Sequence, residues 1–279
     1  SYYSHLDELT VQCHLCPHHC ILPPDHYGKC NTRVNREGTL FTESYGVLSG
    51  IAMDPIEKKP LFHVLPGSLS YSIATPGCNF RCLHCQNSSI SQVSERDDVQ
   101  NAGRYRSPEN IVGAALSRGC QSISYTYVEP TIFFEYAYDC CLAAVDQGLK
   151  NIFVSNGYMS ATVRTLLAPV LAAINIDLKS FSDEFYKKVC GARLAPVLES
   201  IRQFKELGVW VEVTTLIIPG LNDYLEELSR LAGFIAEELG VETLRDRSPE
   251  HPYTRQLLNA SLGYDRQAVA MLEEFDMDA

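Results

Sequence analysis

The sequence predicts an α/β fold, a parallel barrel or partial barrel with a small cysteine-rich β segment in front of it. Three observations predict it. A strand–helix–glycine unit recurs through the middle of the chain. The polar and special residues of that region fall just after the strands. Residues 1–66 lack the repeat and instead carry four cysteines at ligand spacing and a hairpin pattern. At 279 residues and 46% apolar composition, the chain suits one large α/β domain or two small ones with a substantial core.

"SYSIAT" (70–75) reads as the first buried strand, being short and rich in β-branched and aromatic residues. "SISYTYVEP" (122–130), "NIFVSNG" (151–157), "AINIDLK" (173–179) and "VWVEVTTLIIPG" (209–220) read as four more. Helices lie between them. Ser107-Pro108-Glu109 gives one an N-cap, a first-turn proline and a first-turn acid, and Gly119 stops it. A second runs from about Thr131 to Gly148, a third from Pro196 to Gly208, and a fourth from beyond Asn222-Asp223 to Gly240. Repeated in this order, the units describe a parallel sheet wound by right-handed crossovers. Five of them in so short a span favour a barrel over an open sheet, which the pattern also allows.

In such folds the chemistry sits at the carboxyl ends of the strands. Strand one runs into Thr75-Pro76-Gly77-Cys78. Strand two ends at Glu129-Pro130, strand three at Ser155-Asn156-Gly157, strand four with Asp177 and Lys179, and strand five at Pro219-Gly220 with Asn222 and Asp223 beyond. Five strand ends converge on one rim.

Composition limits the setting. A net charge of −11 argues against a nucleic-acid partner, whose binding rests on neutralising phosphates. No apolar run approaches the ~20 residues of a membrane span. "SYYSHLDELT" has no basic stretch leading into an apolar one, so no secretory signal is expected and the expected location is the cytoplasm. There, eleven cysteines are read as metal ligands rather than a disulfide framework.

"TPGCNFRCLHCQN" sets Cys78, Cys82 and Cys85 in the pattern C-x3-C-x2-C. A structural zinc site and a closed iron–sulfur cubane each want four ligands. Three thiolates can hold three irons of a cubane and leave the fourth open to a chelating amino-carboxylate. The plainer alternative is zinc completed by His84 or a distant cysteine.

The stretches "QCHLCPHHC", "DPIEKKPLFHVLPGS", "ATPGCNFRCLHCQN", "YTYVEPTIFFEYAYD", "NGYMS", "NIDLKSFSDEFYKKVCGA" and "EVTTLIIPGLND" resemble the radical S-adenosylmethionine (SAM) superfamily. The branch is that of pyruvate formate-lyase activating enzymes, and nearer still the AmmeMemoRadiSam-system radical SAM enzymes. The resemblance implies a partial (β/α)6-type barrel, a [4Fe-4S] cluster on Cys78, Cys82 and Cys85, and SAM. It implies a cofactor-binding rim in which His84 stands beside the adenine and Glu129 holds the SAM amino group. Ser155 and Asn156 lie near the ribose and methionyl part, and Asp177 and Lys179 form the strand-four pair, with Lys179 toward the carboxylate. In "YVEP" the two positions before Glu129 are not the glycines relatives carry. The implied reaction is reductive cleavage of SAM to methionine and a 5′-deoxyadenosyl radical. The implied partners are a reductant such as flavodoxin or ferredoxin and a protein substrate bearing a glycyl residue. The other class of function is an iron–sulfur electron carrier or structural metal-binding module, which needs no SAM-binding rim.

The N-terminal segment is read separately. Cys13, Cys16, Cys20 and Cys30 follow C-x2-C-x3-C-x9-C, ligand spacing for one closed site that zinc or a second iron–sulfur cluster fits equally. "CNTRVNREGTLFTESYG" reads as two strands around an Arg-Glu-Gly turn. Cys120, Cys140, Cys141 and Cys190 are given no role. The expected division is 1–66 for this segment, 67–241 for the barrel and 242–279 for a divergent tail of two short helices. That tail leaves a sixth strand doubtful and places Asp246 where relatives have a SAM-contacting histidine.

Overall fold

The β-branched runs become strands of a six-stranded sheet in the computed structural model, which describes residues 2–93, 99 and 103–240. The small strands at the front are β1 (Tyr3–His5), β2 (Val11–Cys13), β3 (Ile21–Leu22), β4 (Arg33–Arg36), β5 (Thr39–Thr42) and β6 (Val47–Leu48). They are followed by β7 (Gly50–Pro55), β8 (Leu69–Ala74), β9 (Arg104–Tyr105), β10 (Ser122–Tyr125), β11 (Lys150–Ser155), β12 (Ala173–Asp177) and β13 (Trp210–Thr214). The main sheet has the order β13-β12-β11-β10-β8-β7. Its five parallel strands, β8 and β10 to β13, are the five the repeat predicts.

The helices are α1 (Ser88–Ser91), α2 (Pro108–Ser117), α3 (Phe134–Asp146), α4 (Ala161–Leu167), α5 (Asp183–Phe185), α6 (Ala195–Glu206) and α7 (Leu225–Leu239). Ser107 caps α2 as its sequence predicts, in a reciprocal capping box with Asn110. Ile111, Val112 and Ala115 turn the buried face of α2 inward, and Phe134, Ala137, Cys140, Cys141 and Ala144 do the same for α3.

All five strands stop short of their predicted ends, two of them by several residues. β10 ends at Tyr125 because Tyr127 takes a left-handed backbone (φ 66°) and Glu129-Pro130 opens a 3₁₀ turn. β13 ends at Thr214 rather than Gly220. The sixth strand of the sheet, β7, was not foreseen. It pairs antiparallel with β8 from Gly50↔Ala74 to Pro55↔Leu69, so part of the cysteine-rich segment is built into the barrel sheet.

The sheet does not close. Among the described residues β13 pairs only with β12. The Glu212 carboxylate on β13 accepts the backbone N–H groups of Phe62 (3.0 Å) and His63 (3.1 Å), which lays that loop over the open side. The expectations for residues 242–279, including a sixth parallel strand and the contact at Asp246, lie outside the described residues.

At the front, β1, β2 and β3 form a small sheet and β4 and β5 the predicted hairpin, turning at Glu37 (φ 49°) and Gly38 (φ 83°). The buried Arg33 guanidinium fixes the hairpin to α3 through a bidentate ion pair with Glu135. The described residues up to Phe234 form one compact unit.

Candidate active site

β8 delivers the chain to Gly77, where the cysteine loop begins. The Gly77 N–H donates to Ile90 O (2.8 Å), and its φ of 98° is one L side chains rarely adopt. A Cβ there would stand 2.5 Å from Thr32 Cγ2 and 2.9 Å from Cys30 O. Gly77→Ala is therefore expected to destabilise the fold by about 1–3 kcal/mol through backbone strain and to lower bound iron. A thermal melt paired with an iron count checks it; a melt and an iron content equal to wild type would refute it.

Within the loop each thiol has a neighbour able to steady a thiolate. Cys78 Sγ accepts from Phe80 N (3.3 Å) and Asn156 Nδ2 (3.9 Å). Cys85 Sγ lies 3.1 Å from Ser91 Oγ. Cys82 and Cys190 share a side-chain hydrogen bond, and Lys179 favours the charged form of both. The loop is clamped to the Cys190 segment by Arg81 N→Cys190 O (2.8 Å) and Leu83 N→Val189 O (3.0 Å). Burial, reinforced by the Glu129 charge, pushes the Cys78 thiol well above its usual range. A cationic centre is what would make it a thiolate. Among the described residues no three donors converge on a single ion. Three thiols on a multi-iron cluster stand wider apart than three on one ion.

The rim is organised by Glu129, which is 2% exposed. Its Oε1 accepts from Thr131 N (3.0 Å), Thr131 Oγ1 (2.6 Å) and Ser155 Oγ (2.9 Å), and its Oε2 accepts from Asn156 N (2.7 Å). Burial raises its pKa while these donors oppose the rise. These bonds tie Glu129 to the strand-three loop. Asn156 carries that order onward, reaching Asn79 Oδ1 (2.8 Å) and Cys78.

Lys179 Nζ pairs with Asp177 Oδ2 at 2.7 Å. Burial would lower the ammonium pKa, but Asp177 overrides it and holds it raised. Burial, then Lys179, pushes His84 below its usual value, so a neutral imidazole is favoured at pH 7. His84 Nδ1 is buried and has no hydrogen-bond partner among the described residues.

The predicted residues thus fall into two linked groups, Glu129, Ser155 and Asn156 beside Cys78, and Asp177, Lys179 and His84 beside Cys82. Asn222, from strand five, holds the second group's loop through Nδ2→Lys179 O (2.8 Å), whereas Asp223 only closes its own turn on Gly220 N. Sequence reasoning missed Cys190, Ser91 and Asn79. Cys190 had a usable signal in "VCGA", since Gly191 (φ 70°) turns that segment back against Arg81. The four N-terminal cysteines line a separate cavity.

A family model for the radical SAM superfamily matches residues 72–235. Uncharacterized protein MJ0808 of Methanocaldococcus jannaschii is 46% identical over 251 residues, covering 90% of this chain and 74% of its own length. The pyruvate formate-lyase 1-activating enzyme of Escherichia coli (strain K12) is 24% identical over 210 residues, covering 72% of this chain and 78% of its own. The structure of Streptococcus suis SuiB bound to S-adenosylmethionine aligns with a TM-score of 0.47 at 16% identity, over 59% of this chain and 37% of that one. With its cysteine loop after the first parallel strand and the family match over most of the barrel, the chain belongs to the radical SAM superfamily and is a radical SAM enzyme, of a family whose cofactors are a [4Fe-4S] cluster and S-adenosylmethionine.

Proposed function

We propose that Cys78, Cys82 and Cys85 hold the [4Fe-4S] cluster, that the rim of strands two to four binds SAM, and that the radical is directed at a glycyl residue of a protein partner. The residues fit these cofactors. The loop itself supplies three thiols, with Cys190 hydrogen-bonded to Cys82 from beside it, and the unpaired Nδ1 of His84 is a buried acceptor left for a ligand. When bound, the cluster and SAM supply a 5′-deoxyadenosyl radical by reductive cleavage of the sulfonium, at potentials down to roughly −700 mV.

The chain's own residues hold and orient. Lys179, kept charged by Asp177, offers a cation to the SAM carboxylate. His84 offers a neutral acceptor to the adenine edge. Glu129 is a positioning residue, fixing the Ser155-Asn156 loop, and Asn156 directs an N–H at Cys78. The reductant is a low-potential carrier of the flavodoxin or ferredoxin class. Among the described residues no disulfide joins the eleven cysteines, which fits a reducing cytoplasm. No helix among the described residues is long and apolar enough to cross a membrane.

The observation that carries the SAM reading is the joining of the cysteine loop to the rim through Asn156. An electron carrier would leave Lys179, Asp177 and His84 without purpose. The glycyl target rests on similarity to the Escherichia coli activating enzyme. Anaerobically reconstituted protein, given SAM and a reductant, is expected to form 5′-deoxyadenosine. With a protein extract labelled by α-deuterated glycine, deuterium should enter that product. No 5′-deoxyadenosine would refute the SAM reading, and product without deuterium would refute the glycyl target.

A further inference from the structure

A cavity of about 20 Å³ lies within the N-terminal segment, and all four of its cysteines, Cys13, Cys16, Cys20 and Cys30, line it. The chain is folded to bring them there. Cys13 N donates to Cys20 O (2.9 Å), closing the C-x2-C-x3-C stretch on itself. Gly28 lies beside two of the sulfurs, so that a Cβ on it would stand 3.7 Å from Cys20 Sγ and 3.8 Å from Cys30 Sγ.

Arg33 also lines this cavity and is 3% exposed. Its Nη atoms are engaged with Glu135 and Ile132 O. Its Nε is buried and has no hydrogen-bond partner among the described residues. A buried, unpartnered N–H of a cation in the wall that the four cysteines share calls for an anionic acceptor there. A metal centre bearing four thiolates is such an acceptor.

The spacing of the thiols separates the two candidate centres. Zn–S bonds of about 2.3 Å draw four sulfurs to within roughly 3.8 Å of one another and leave no void. Among the described residues no three donors are placed to share one ion, so the four thiols around this cavity are spaced for a multi-iron centre rather than for zinc.

The cavity also adjoins the cysteine loop of the barrel. Asn79, the residue after Cys78, forms part of its wall. Asn79 O lies 2.8 Å from His18 Nε2 on the N-terminal side, while Asn79 Oδ1 lies 3.9 Å from Cys78 Sγ on the other. Gly77 packs directly on the Cys30 backbone.

We propose that Cys13, Cys16, Cys20 and Cys30 ligate a second [4Fe-4S] cluster, which exchanges single electrons across Asn79 with the cluster on Cys78, Cys82 and Cys85. The exchange rests on the proposed function; the second cluster itself does not. A low-potential carrier of the ferredoxin or flavodoxin class gives one electron to the N-terminal cluster. That cluster is reoxidised as the electron passes to the barrel cluster, and no bond forms or breaks.

The test uses the full chain, reconstituted anaerobically with iron and sulfide, as wild type and as two variants. One carries Cys78→Ala, Cys82→Ala and Cys85→Ala, and the other carries Cys30→Ser alone, with circular dichroism to show that it folds. Wild type is expected to hold about eight irons, and the barrel-loop variant about four with matching sulfide. Folded Cys30→Ser should lose iron. The electron paramagnetic resonance spectrum of dithionite-reduced wild type is expected to be broader than the sum of the spectra of the two variants. Zinc without iron in the barrel-loop variant, or no metal at all, would overturn the second cluster. So would full iron in Cys30→Ser. A wild-type spectrum equal to the sum would overturn the exchange. Failure of the proposed function reads differently, as iron in the barrel-loop variant unchanged from wild type.

Discussion

Replacing Cys78, Cys82 and Cys85 together by alanine is expected to remove about four irons per chain and to bring 5′-deoxyadenosine formation to background. The effect is total because Cys190, the thiol beside Cys82, cannot replace three ligands. Glu129 is committed to its own loop, and Lys179 is a cation held charged by Asp177. The fold should survive, since the loop is anchored by bonds other than the thiols. Arg81 N and Leu83 N reach Cys190 O and Val189 O, and Asn87 Nδ2 reaches Tyr127 O (2.8 Å). Iron analysis, product chromatography and a circular dichroism spectrum would decide it. Product formed at the wild-type rate by the triple variant would sink the assignment.

Glu129→Ala is expected to lower stability by about 3–5 kcal/mol and to weaken SAM binding at the same time. Truncation strips the acceptor from two buried backbone N–H groups, Thr131 N and Asn156 N, and from the Thr131 and Ser155 hydroxyls. Each buried donor left unpaired costs about 1–3 kcal/mol, and the loop's relaxation recovers part of that. Loss of order at Asn156 then reaches Cys78 directly, so iron affinity should fall too. Glu129→Gln keeps one acceptor oxygen but turns an NH₂ toward a donor, and is expected to fall between wild type and alanine. Denaturant melts, SAM titration and iron content read the three effects. Weakened SAM binding with unchanged stability would show instead that Glu129 touches SAM alone.

The parallel strands were legible because a buried strand advertises itself as a short β-branched run and the punctuation between them is chemical. Ser107 and Gly119 mark α2 whatever surrounds it. β7 was not legible. Its burial alternates with Ile51 and Met53 exposed, and only the pairing with β8 gives it a place. At the site, the cysteine loop and the residue types at each strand end could be read from spacing. The direction each side chain takes could not. The hydrogen bonds Glu129 makes to Ser155 and Asn156, long-range in sequence, could not be read from spacing. "VCGA" hinted at a turn at Cys190, but not at its partner Cys82, which lies far away in sequence.

The main sheet keeps its strands in the order in which they are synthesised, from β7 and β8 through β10, β11 and β12 to β13. Each new strand therefore has its docking edge finished before it leaves the ribosome, and no strand must be inserted between two others. Folding can proceed as elongation does, with short loops to close at each step. Metal loading cannot keep the same pace. Cys78, Cys82 and Cys85 emerge early, but the groups that steady them, Asn156 and Cys190, arrive two and three strands later. A nascent chain is thus left for a time with reactive thiols on an unfinished loop. Cluster insertion belongs after β12 has docked.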